Sequence, residues 1–477
     1  MKYILSLLAI WVSAIASAYD VAWNNPVEIF KSSPAINIVG LTGTDSHVTI
    51  TLTSKTRIPL ADESMSAYIV DDGGSRHHVT SFHDNGADTG NTGIYGYTLE
   101  FDSINVNSQC FDLYIDGIVD VLGIHKSSIE LNIPNPTFQI DESEVAEDLY
   151  KDSISVVNGK ISGLTNISNN LAVVPAYFSY EDKDTAIVDG SLSYSLNIRL
   201  NHPSLVELVL INDGKMIESL GLVYLRPGEV VDLCSYVSKD SWKENVITSQ
   251  SNLPTYSKLM NYGFSLNRVP YETYRALHGN QFADYFTKTY QEELVKMHYY
   301  CWRHHLNGYE AELYKNNVDM FYAASLLELI DNQGFDVMNL LNEYIMKIEP
   351  NNPVMWATET FNHFIIQFPK YIYLQIDPPL APIDLRETNR GKYVLQFYEL
   401  CSNAINKMFH TNGHTLLAQS TVAFGAEGLI SPYAESALPQ SGDALHNLKQ
   451  QLLHPYAKSI AEKSYNYYYK FRQRHMK

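Results

Sequence analysis

The side chains best suited to chemistry in this chain lie in a polar segment between His83 and Thr98. Asp84, Asn85 and Asp88 are short oxygen donors, and the glycines around them let backbone carbonyls turn inward. Such a set matches the flexible oxygen shell that calcium requires, although the glutamate that completes an EF-hand loop is missing. The same residue types also form polar turns that satisfy local backbone groups. Two interpretations of these three residues therefore stand, a calcium site and a turn.

Two other sets have spacings associated with catalysis or metal binding. His410 and His414 have the i, i+4 spacing of a two-ligand zinc site, but no glutamate stands between them to form H-E-x-x-H. Cys301 closely precedes His304, as in thiol enzymes, yet Cys301 falls on the apolar stripe of a predicted helix. We predict a chance histidine pair and a buried, inert thiol. No catalytic residue is assigned.

The elements that must position the polar segment are predicted to be β-strands. Short runs of alternating or β-branched residues are separated by turn clusters, which is typical of a sandwich of about seven strands. The runs are 36–39, 48–52, 67–70, 97–101, 110–115 and 129–133. Pro134 and Pro136 close this unit.

The polar segment contains Gly93-Ile94-Tyr95 near its end and resembles the D-x-G-x-x-D…G-[IV]-Y segment of Ig-like β-sandwich domains. Such domains occur in bacterial surface and secreted proteins and in the chloride-channel-regulator family. The resemblance covers residues 50–101 and implies an Ig-like sandwich in an exported protein. Thr92 stands where many members have an aspartate, which removes one possible metal ligand.

The first 18 residues are predicted to be a cleaved signal peptide. Lys2 forms a minimal positive region, residues 3–12 are apolar, and Ala16-Ser17-Ala18 gives a small-x-small cleavage pattern. The apolar run is shorter than the ~20 residues that span a bilayer, and no other run is longer. We therefore expect a secreted or periplasmic protein without a transmembrane segment.

Composition restricts the partners. With 34 basic against 53 acidic residues, the formal charge is −19, which argues against nucleic acid, because duplex binding needs many basic side chains. The chain has 34 tyrosines and 18 phenylalanines. Tyrosine joins a flat contact area to a hydrogen-bonding tip, which suits a binding face, although an AT-rich genome also produces this bias.

The predicted architecture is multidomain, with β-rich units followed by helices. After the sandwich at 19–140 come an acidic linker at 141–152, a second β-rich domain at 153–237, a linker at 238–256 and a helical domain at 257–477. Asn212-Asp213-Gly214 predicts a type I′ hairpin in the second unit. Helices are predicted around 282–301, 337–348, 353–367, 393–409 and from 443 onward.

Four scattered cysteines are too few for a disulfide scaffold. Cys110 and Cys234 lie in β-rich sequence, and Cys301 and Cys401 lie in helical sequence. Two bridges remain open, with three connectivities. The basic, aromatic C-terminus over 463–477 fits either a docking face for an acidic surface or a packed terminal helix.

Two functions fit these features. The first is an exported, non-catalytic binding or assembly protein of the cell envelope or extracellular space, which uses Ig-like modules and a helical domain for protein or glycan contacts, as in adhesion. The second is an exported hydrolase of glycan or peptide with the helical half as catalyst. The sequence has no nucleophile elbow, P-loop or dinucleotide fingerprint in the required context. We favour the binding protein and leave the oligomeric state open.

Overall fold

A computed structural model describes residues 21–466 with several gaps. The gaps of six or more residues are 59–66, 88–93, 137–151, 163–169, 177–184, 237–245, 249–268, 376–389 and 430–445. The predicted signal peptide 1–18, Asp88, nearly all of the linker 141–152 and the terminal residues 467–477 therefore lie outside the described residues.

The N-terminal unit is a folded-over antiparallel sheet. Its described strands are β1 (Val21–Asn24), β2 (Phe30–Lys31), β3 (Ile36–Gly43), β4 (His47–Ser54), β5 (Ala67–Asp71), β6 (Arg76–Ala87), β7 (Tyr95–Asp102), β8 (Cys110–Ile115) and β9 (Val119–His125), in the order β1-β3-β4-β7-β6-β5-β8-β9-β2. Trp23 on β1 lies at one end of this order, yet its ring centroid is 5.4 Å from that of Phe111 on β8. The sheet thus closes on itself as two layers around one apolar core.

Strand β6 belongs to both layers. Its residues 76–78 pair with β5 and its residues 79–87 pair with β7, with a bulge between Val79 and Ser81. The bulge inserts one residue and so reverses the faces that follow. Val79 and Phe82 consequently both pack on the core. Unbroken alternation predicts His77 and His83 on one face; that prediction is wrong, because the bulge lies between them.

The predicted strand at 129–133 is also wrong. These residues form no strand, although their apolar and polar side chains alternate. Leu131 and Ile133 instead pack against the helical core. The alternation in sequence thus arises because one side of this extended segment is buried, although its backbone pairs with no described strand.

A second β-unit follows. Its described strands are β10 (Ser153–Ser162), β11 (Leu171–Ala176), β12 (Ala186–Ile187), β13 (Ser193–Leu200), β14 (Ser204–Asn212), β15 (Lys215–Leu225), β16 (Val230–Tyr236) and β17 (Val246–Thr248). They form two four-stranded sheets, β13-β10-β16-β17 and β12-β11-β14-β15, around one core. The predicted hairpin is confirmed, since Asn212 pairs with Lys215 and both Asp213 and Gly214 have positive φ.

Strand β17 lies within the predicted linker 238–256 and pairs with β16. The second unit therefore extends beyond residue 237. On the opposite side of β10, Gly159 pairs with Tyr194 on β13. A Cβ atom at Gly159 would lie 2.0 Å from Tyr194 Cζ, so the absence of a side chain there lets the tyrosine ring lie across the strand.

The C-terminal half is helical. Its described helices are α1 (Tyr271–Ala276), α2 (Asn280–Arg303), α3 (Gly308–Leu327), α4 (Phe335–Ile345), α5 (Phe361–Gln375), α6 (Arg390–Phe409) and α7 (Leu416–Leu429). The apolar stripe predicted over 282–301 is confirmed as the buried face of α2. The helix predicted over 353–367 is misplaced, because the buried stripe of α5 starts at Phe361 and continues past Pro369 to Tyr371 and Ile372.

The apolar core of the helical half also includes residues from both β-units. Phe30 and Leu122 from the first β-unit and Tyr224 from the second belong to the same buried cluster. The coarse architecture, β-rich units followed by a helical half, is thus confirmed. Among the described helices, none is both long and apolar enough to cross a membrane.

Candidate functional site

The first β-unit and the helical half meet at a buried ion pair. Asp112 on β8 is fully buried, and Arg303 at the end of α2 has a side chain only 7% exposed. Arg303 Nε donates a hydrogen bond to Asp112 Oδ2. Arg303 Nη2 also donates to the carbonyl oxygens of Val70 and Asp71, at 3.4 and 3.0 Å. One arginine therefore ties α2 to two adjacent strands.

The other carboxylate oxygen of Asp112 is also occupied. Asp112 Oδ1 accepts hydrogen bonds from the Tyr299 hydroxyl and from the Gly123 backbone N–H, each at 2.7 Å. The Tyr299 hydroxyl in turn lies 3.7 Å from Cys110 Sγ. Alternation along β8 explains this set, because Phe111 faces the sandwich core while Cys110 and Asp112 face α2.

Because both charges are buried, the junction depends on the presence of both Asp112 and Arg303. Burial raises the pKa of Asp112, against opposing effects of Arg303, Gly123 and Tyr299. Burial alone would lower the pKa of Arg303, but the combined effects of Asp112, Tyr299 and Cys110 outweigh burial and raise the arginine pKa. Arg303, Tyr299 and Gly123 all donate hydrogen bonds to the carboxylate, so the arrangement stabilises its ionised form opposite the guanidinium. Removing one partner would leave the other charged and buried.

The described thiols are buried and unreactive. Cys110, Cys301 and Cys401 are free and buried. Burial raises the pKa of Cys110 to about 11 and the pKa values of Cys301 and Cys401 to about 12. Because the thiolate is the nucleophile, these groups are inert near neutral pH. The predicted burial of Cys301 is confirmed, and its raised pKa disfavours the reactive thiolate.

The second β-unit touches the helical half through a smaller contact. The ring of Tyr224 on β15 lies 6.2 Å from that of Tyr309 on α3. Arg226 places its guanidinium 4.9 Å from the centre of the Tyr309 ring and its Nη2 3.6 Å from Glu310 Oε1. This contact is more exposed than the Asp112 junction, so we assign it a supporting role.

A row of polar aromatic side chains crosses three adjacent strands on the outer face of the first β-unit. His78 on β6 is opposite Tyr68 on β5, and Tyr68 is opposite Tyr114 on β8. The two tyrosine rings are stacked, with centroids 4.9 Å apart and planes 18° apart. The imidazole of His78 lies 6.1 Å from the Tyr68 ring. We call His78, Tyr68 and Tyr114 the tyrosine row.

Both ends of the tyrosine row are extended by further groups. At the β6 end, the guanidinium carbon of Arg76 lies 4.1 Å from the centre of the Tyr68 ring. At the β8 end, the Tyr114 hydroxyl lies 3.5 Å from His304 Nε2, beyond the end of α2. His304 itself packs on Tyr300, with centroids 4.1 Å apart. The row therefore runs from the β-unit onto the helical half.

Solvent exposure decreases from the β6 end of this series to the α2 end. Arg76 and His78 are exposed, whereas Tyr68, Tyr114 and His304 are half-buried. Asp112 precedes Tyr114 by two residues and thus faces the same side of β8. The buried ion pair consequently holds α2 beside the row and keeps His304 against Tyr114.

The chemistry of these groups is that of non-covalent recognition. Phenol and imidazole rings offer apolar area together with hydrogen-bonding atoms, and a guanidinium offers a fork of donors. Tyrosine and arginine are also the residue types enriched at the energetic centres of binding surfaces. The tyrosine row, with Arg76 and His304, is therefore our candidate functional site.

The residues predicted to bind calcium lie elsewhere. Asp84 and Asn85 are on β6, where Asp84 pairs with Tyr97, so the predicted loop begins later than expected. Asp84 Oδ1 accepts the Gly86 N–H at 2.8 Å, and Asn85 Nδ2 donates to Thr98 Oγ1 at 2.9 Å. These local bonds fit the turn interpretation.

The calcium interpretation depends on Asp88, which lies outside the described residues. Within the described part of the chain, no group of three or more His, Cys, Asp and Glu side chains is placed to hold a metal. The calcium site at Asp84, Asn85 and Asp88 stays a prediction.

A second polar cluster lies inside the helical half. Asp319 on α3 accepts hydrogen bonds from the Tyr290 hydroxyl and from Lys315 Nζ, both at 2.8 Å. Glu312, two turns earlier on α3, accepts a bond from Asn352 Nδ2 at 2.7 Å. Burial raises the pKa of Glu312, with Lys315 and Asn352 opposing that shift. The sequence pattern predicts Glu312 on an exposed helix face, whereas the structure places it half-buried.

The sequence contained a partial signal for the tyrosine row. Tyr68 and Tyr114 sit in predicted strands, at positions that alternate with the core residues Ile69 and Leu113. That alternation indicates outward-facing tyrosines. It does not indicate that β5 pairs with β8, which is what places the two rings in contact.

Comparisons with known proteins add no assignment. No protein-family model matches the chain, and searches of curated proteins and of solved structures found no match. The resemblance of residues 50–101 to Ig-like domains accordingly stays a prediction.

Proposed function

We propose that the chain is an exported, non-catalytic binding or assembly protein, which contacts protein or glycan through the tyrosine row. The carrying observation is the continuous series Arg76, Tyr68, Tyr114 and His304, in which each member lies within stacking or hydrogen-bonding distance of the next. It combines the tyrosines of two strands with a cation on β6 and an imidazole from the helical half.

The buried junction supports this proposal by reducing the entropic cost of binding. A surface assembled from two structural units binds well only when the units are held in place beforehand. Arg303 bonds to Asp112, Val70 and Asp71, so it fixes α2 against both strands that carry the tyrosines. The recognition groups are thus preorganised.

Export is part of the proposal and rests on the apolar segment with Ala16-Ser17-Ala18. N-terminal sequencing of the mature protein is expected to begin at Tyr19. Recovery of an intact Met1 in a cytosolic fraction would contradict export while leaving the binding surface untouched.

The binding function is tested with arrayed glycans and envelope proteins. The labelled full-length chain is compared with Y68A, which removes the central ring, and with Y68F, which keeps the ring and removes the hydroxyl. Y285A is the matched control, because Tyr285 on α2 is 39% exposed and lies outside the row. Circular dichroism establishes that each variant is folded.

We expect the array signal to fall at least about tenfold in Y68A, since aromatic anchors at binding sites contribute more than about 2 kcal/mol. We expect Y68F to lie between Y68A and the wild type, and Y285A to match the wild type. Equal signals from Y68A and the wild type would refute the tyrosine row as the binding surface.

The second candidate is an exported hydrolase of glycan or peptide, favoured by the cluster on α3. A half-buried acid whose pKa is raised, Glu312, lies near Asp319, whose carboxylate is held by Tyr290 and Lys315. Carboxyl groups in contrasting environments are typical of acid–base catalysis. Substrate-panel assays of the wild type and E312Q separate the two functions. Turnover that E312Q abolishes would establish the hydrolase.

A further inference from the structure

The cation at the end of the tyrosine row is unusual for this chain. Acidic residues outnumber basic ones by 53 to 34, and yet exposed Arg76 has no ion-pair partner among the described residues. The guanidinium carbon of Arg76 lies 4.1 Å from the centre of the Tyr68 ring. A guanidinium stacked on an aromatic ring is held in one plane and keeps its donor edge available.

The carboxylates near Arg76 in sequence are engaged elsewhere. Asp71 accepts the Ser75 N–H at 2.8 Å and lies 3.2 Å from His77 Nε2. Asp72 accepts the Gln109 N–H at 2.9 Å. These bonds engage both carboxylates, so neither is paired with Arg76 in the part of the chain that the structure describes.

The other groups of the candidate site are not acidic. His78, Tyr68, Tyr114 and His304 present imidazole and phenol groups that both donate and accept hydrogen bonds. Such mixed groups suit the hydroxyls of a sugar, which also donate and accept. The planar fork of Arg76 suits a carboxylate, which accepts two parallel bonds.

We propose that the ligand of the tyrosine row is a glycan whose sugars carry carboxylate groups. Arg76 binds the carboxylate, and the tyrosines and histidines contact the neighbouring hydroxyls and the ring of the sugar. This inference rests on the proposed binding function and specifies its ligand class.

The test is calorimetric titration of the full-length protein with three probes of matched length. These are hexagalacturonate, which carries carboxylates on sugars; cellohexaose, a neutral glycan; and hexaglutamate, which carries carboxylates on a peptide. We expect hexagalacturonate to bind about tenfold more tightly than cellohexaose, the gain of one charge-assisted bidentate contact. We expect a similar preference over hexaglutamate, because the peptide lacks the sugar ring and hydroxyls that the tyrosines and histidines contact.

Two arginine variants and one control identify the group responsible. R76Q is expected to remove the preference for hexagalacturonate over cellohexaose, and R76K to keep only part of it, because lysine lacks the planar fork. R199Q is the control, since Arg199 is a 74% exposed arginine on the second β-unit, paired with Asp152. It is expected to bind like the wild type.

Each other result overturns the inference in a recognisable way. Equal affinity for hexaglutamate and hexagalacturonate would identify an acidic peptide as the ligand. Equal affinity for cellohexaose, lost in Y68A and kept in R76Q, would refute the carboxylate requirement and leave the binding function standing. The carboxylate requirement would also be refuted if an array ligand depended on Tyr68 while hexagalacturonate did not bind. Loss of hexagalacturonate binding in R199Q equal to that in R76Q would show nonspecific charge attraction.

Discussion

Arg303 on α2 and Asp112 on β8 form an ion pair that is almost completely removed from solvent, between residues 191 positions apart in the chain. The pair joins the helical half to the first β-unit directly beside the tyrosine row. Burying two charges is costly, and such pairs commonly add little net stability. Its value here is positional, because it fixes where His304 meets Tyr114.

Removing one member of this pair is predicted to destabilise the protein strongly. R303M keeps much of the side-chain volume and leaves Asp112 buried without its cation, which costs about 3–5 kcal/mol in comparable sites. Urea unfolding of the full-length protein measures the loss. The control R199M breaks the exposed pair of Arg199 with Asp152, where no measurable loss is expected. Equal stability of R303M and the wild type would contradict the assigned role.

Gly159 is predicted to be intolerant of any side chain. A Cβ atom there would meet the Tyr194 ring at 2.0 Å, so G159A must displace a buried tyrosine and is expected to cost about 1–3 kcal/mol. G190A is the matched control, because nothing lies within 4 Å of a Cβ atom at Gly190. Melting temperatures measure both. A G159A protein as stable as G190A would show that the ring moves freely.

His454 is predicted to make stability depend on pH. Burial lowers the pKa of His454 to about 4, whereas the unfolded chain keeps a value near 6.5. As the pH falls below about 6.5, the unfolded state takes up the proton first, so stability declines until the folded state also titrates near pH 4. We expect a loss of about 1–2 kcal/mol, reduced by partial exposure.

The variant H454N isolates this contribution. Urea midpoints at pH 7 and pH 4.5 are compared between wild type and H454N, so that the titration of acidic groups cancels. The wild type is expected to lose more stability than H454N. H446N removes a histidine at an exposed position and serves as the control. Identical pH dependence of wild type and H454N would refute the prediction.

The sequence predicts elements with a regular one-sided pattern and misses the others. The apolar stripe of α2 places Phe282, Phe286 and Tyr290 on one face, so the sequence predicts this helix correctly. The sequence does not predict the bounds of helix α3, because Leu313, Tyr314 and Val318 are buried around much of its circumference and leave no polar face to reveal a period.

The candidate site was predicted less completely than the fold. Tyr68 and Tyr114 are outward-facing residues in predicted strands, but their contact depends on which strands pair. The partners Asp112 and Arg303 come from distant segments, and neither has a sequence motif. Such long-range pairings depend on how the whole chain packs. The bulge between Val79 and Ser81 shows a further limit, because one inserted residue changes which side chains face the core.

Calcium at Asp84, Asn85 and Asp88 makes a separate prediction. Chelation is expected to lower the melting temperature of the full-length protein, because it removes about 1–3 kcal/mol of stability when calcium is about ten to a hundred times its dissociation constant. D84N combined with D88N is expected to remove the calcium dependence. If the wild type melts alike with calcium and with chelator, these residues form only a turn.

The most direct test of the central claim observes the tyrosine row during binding. Fluorotyrosine is placed at Tyr68 in one sample and at Tyr285 in another, and fluorine NMR follows addition of the ligand that the array identifies. We predict a shift or broadening at Tyr68 that saturates with ligand, and an unchanged signal at Tyr285. Saturable binding that leaves the Tyr68 signal unchanged would contradict the account.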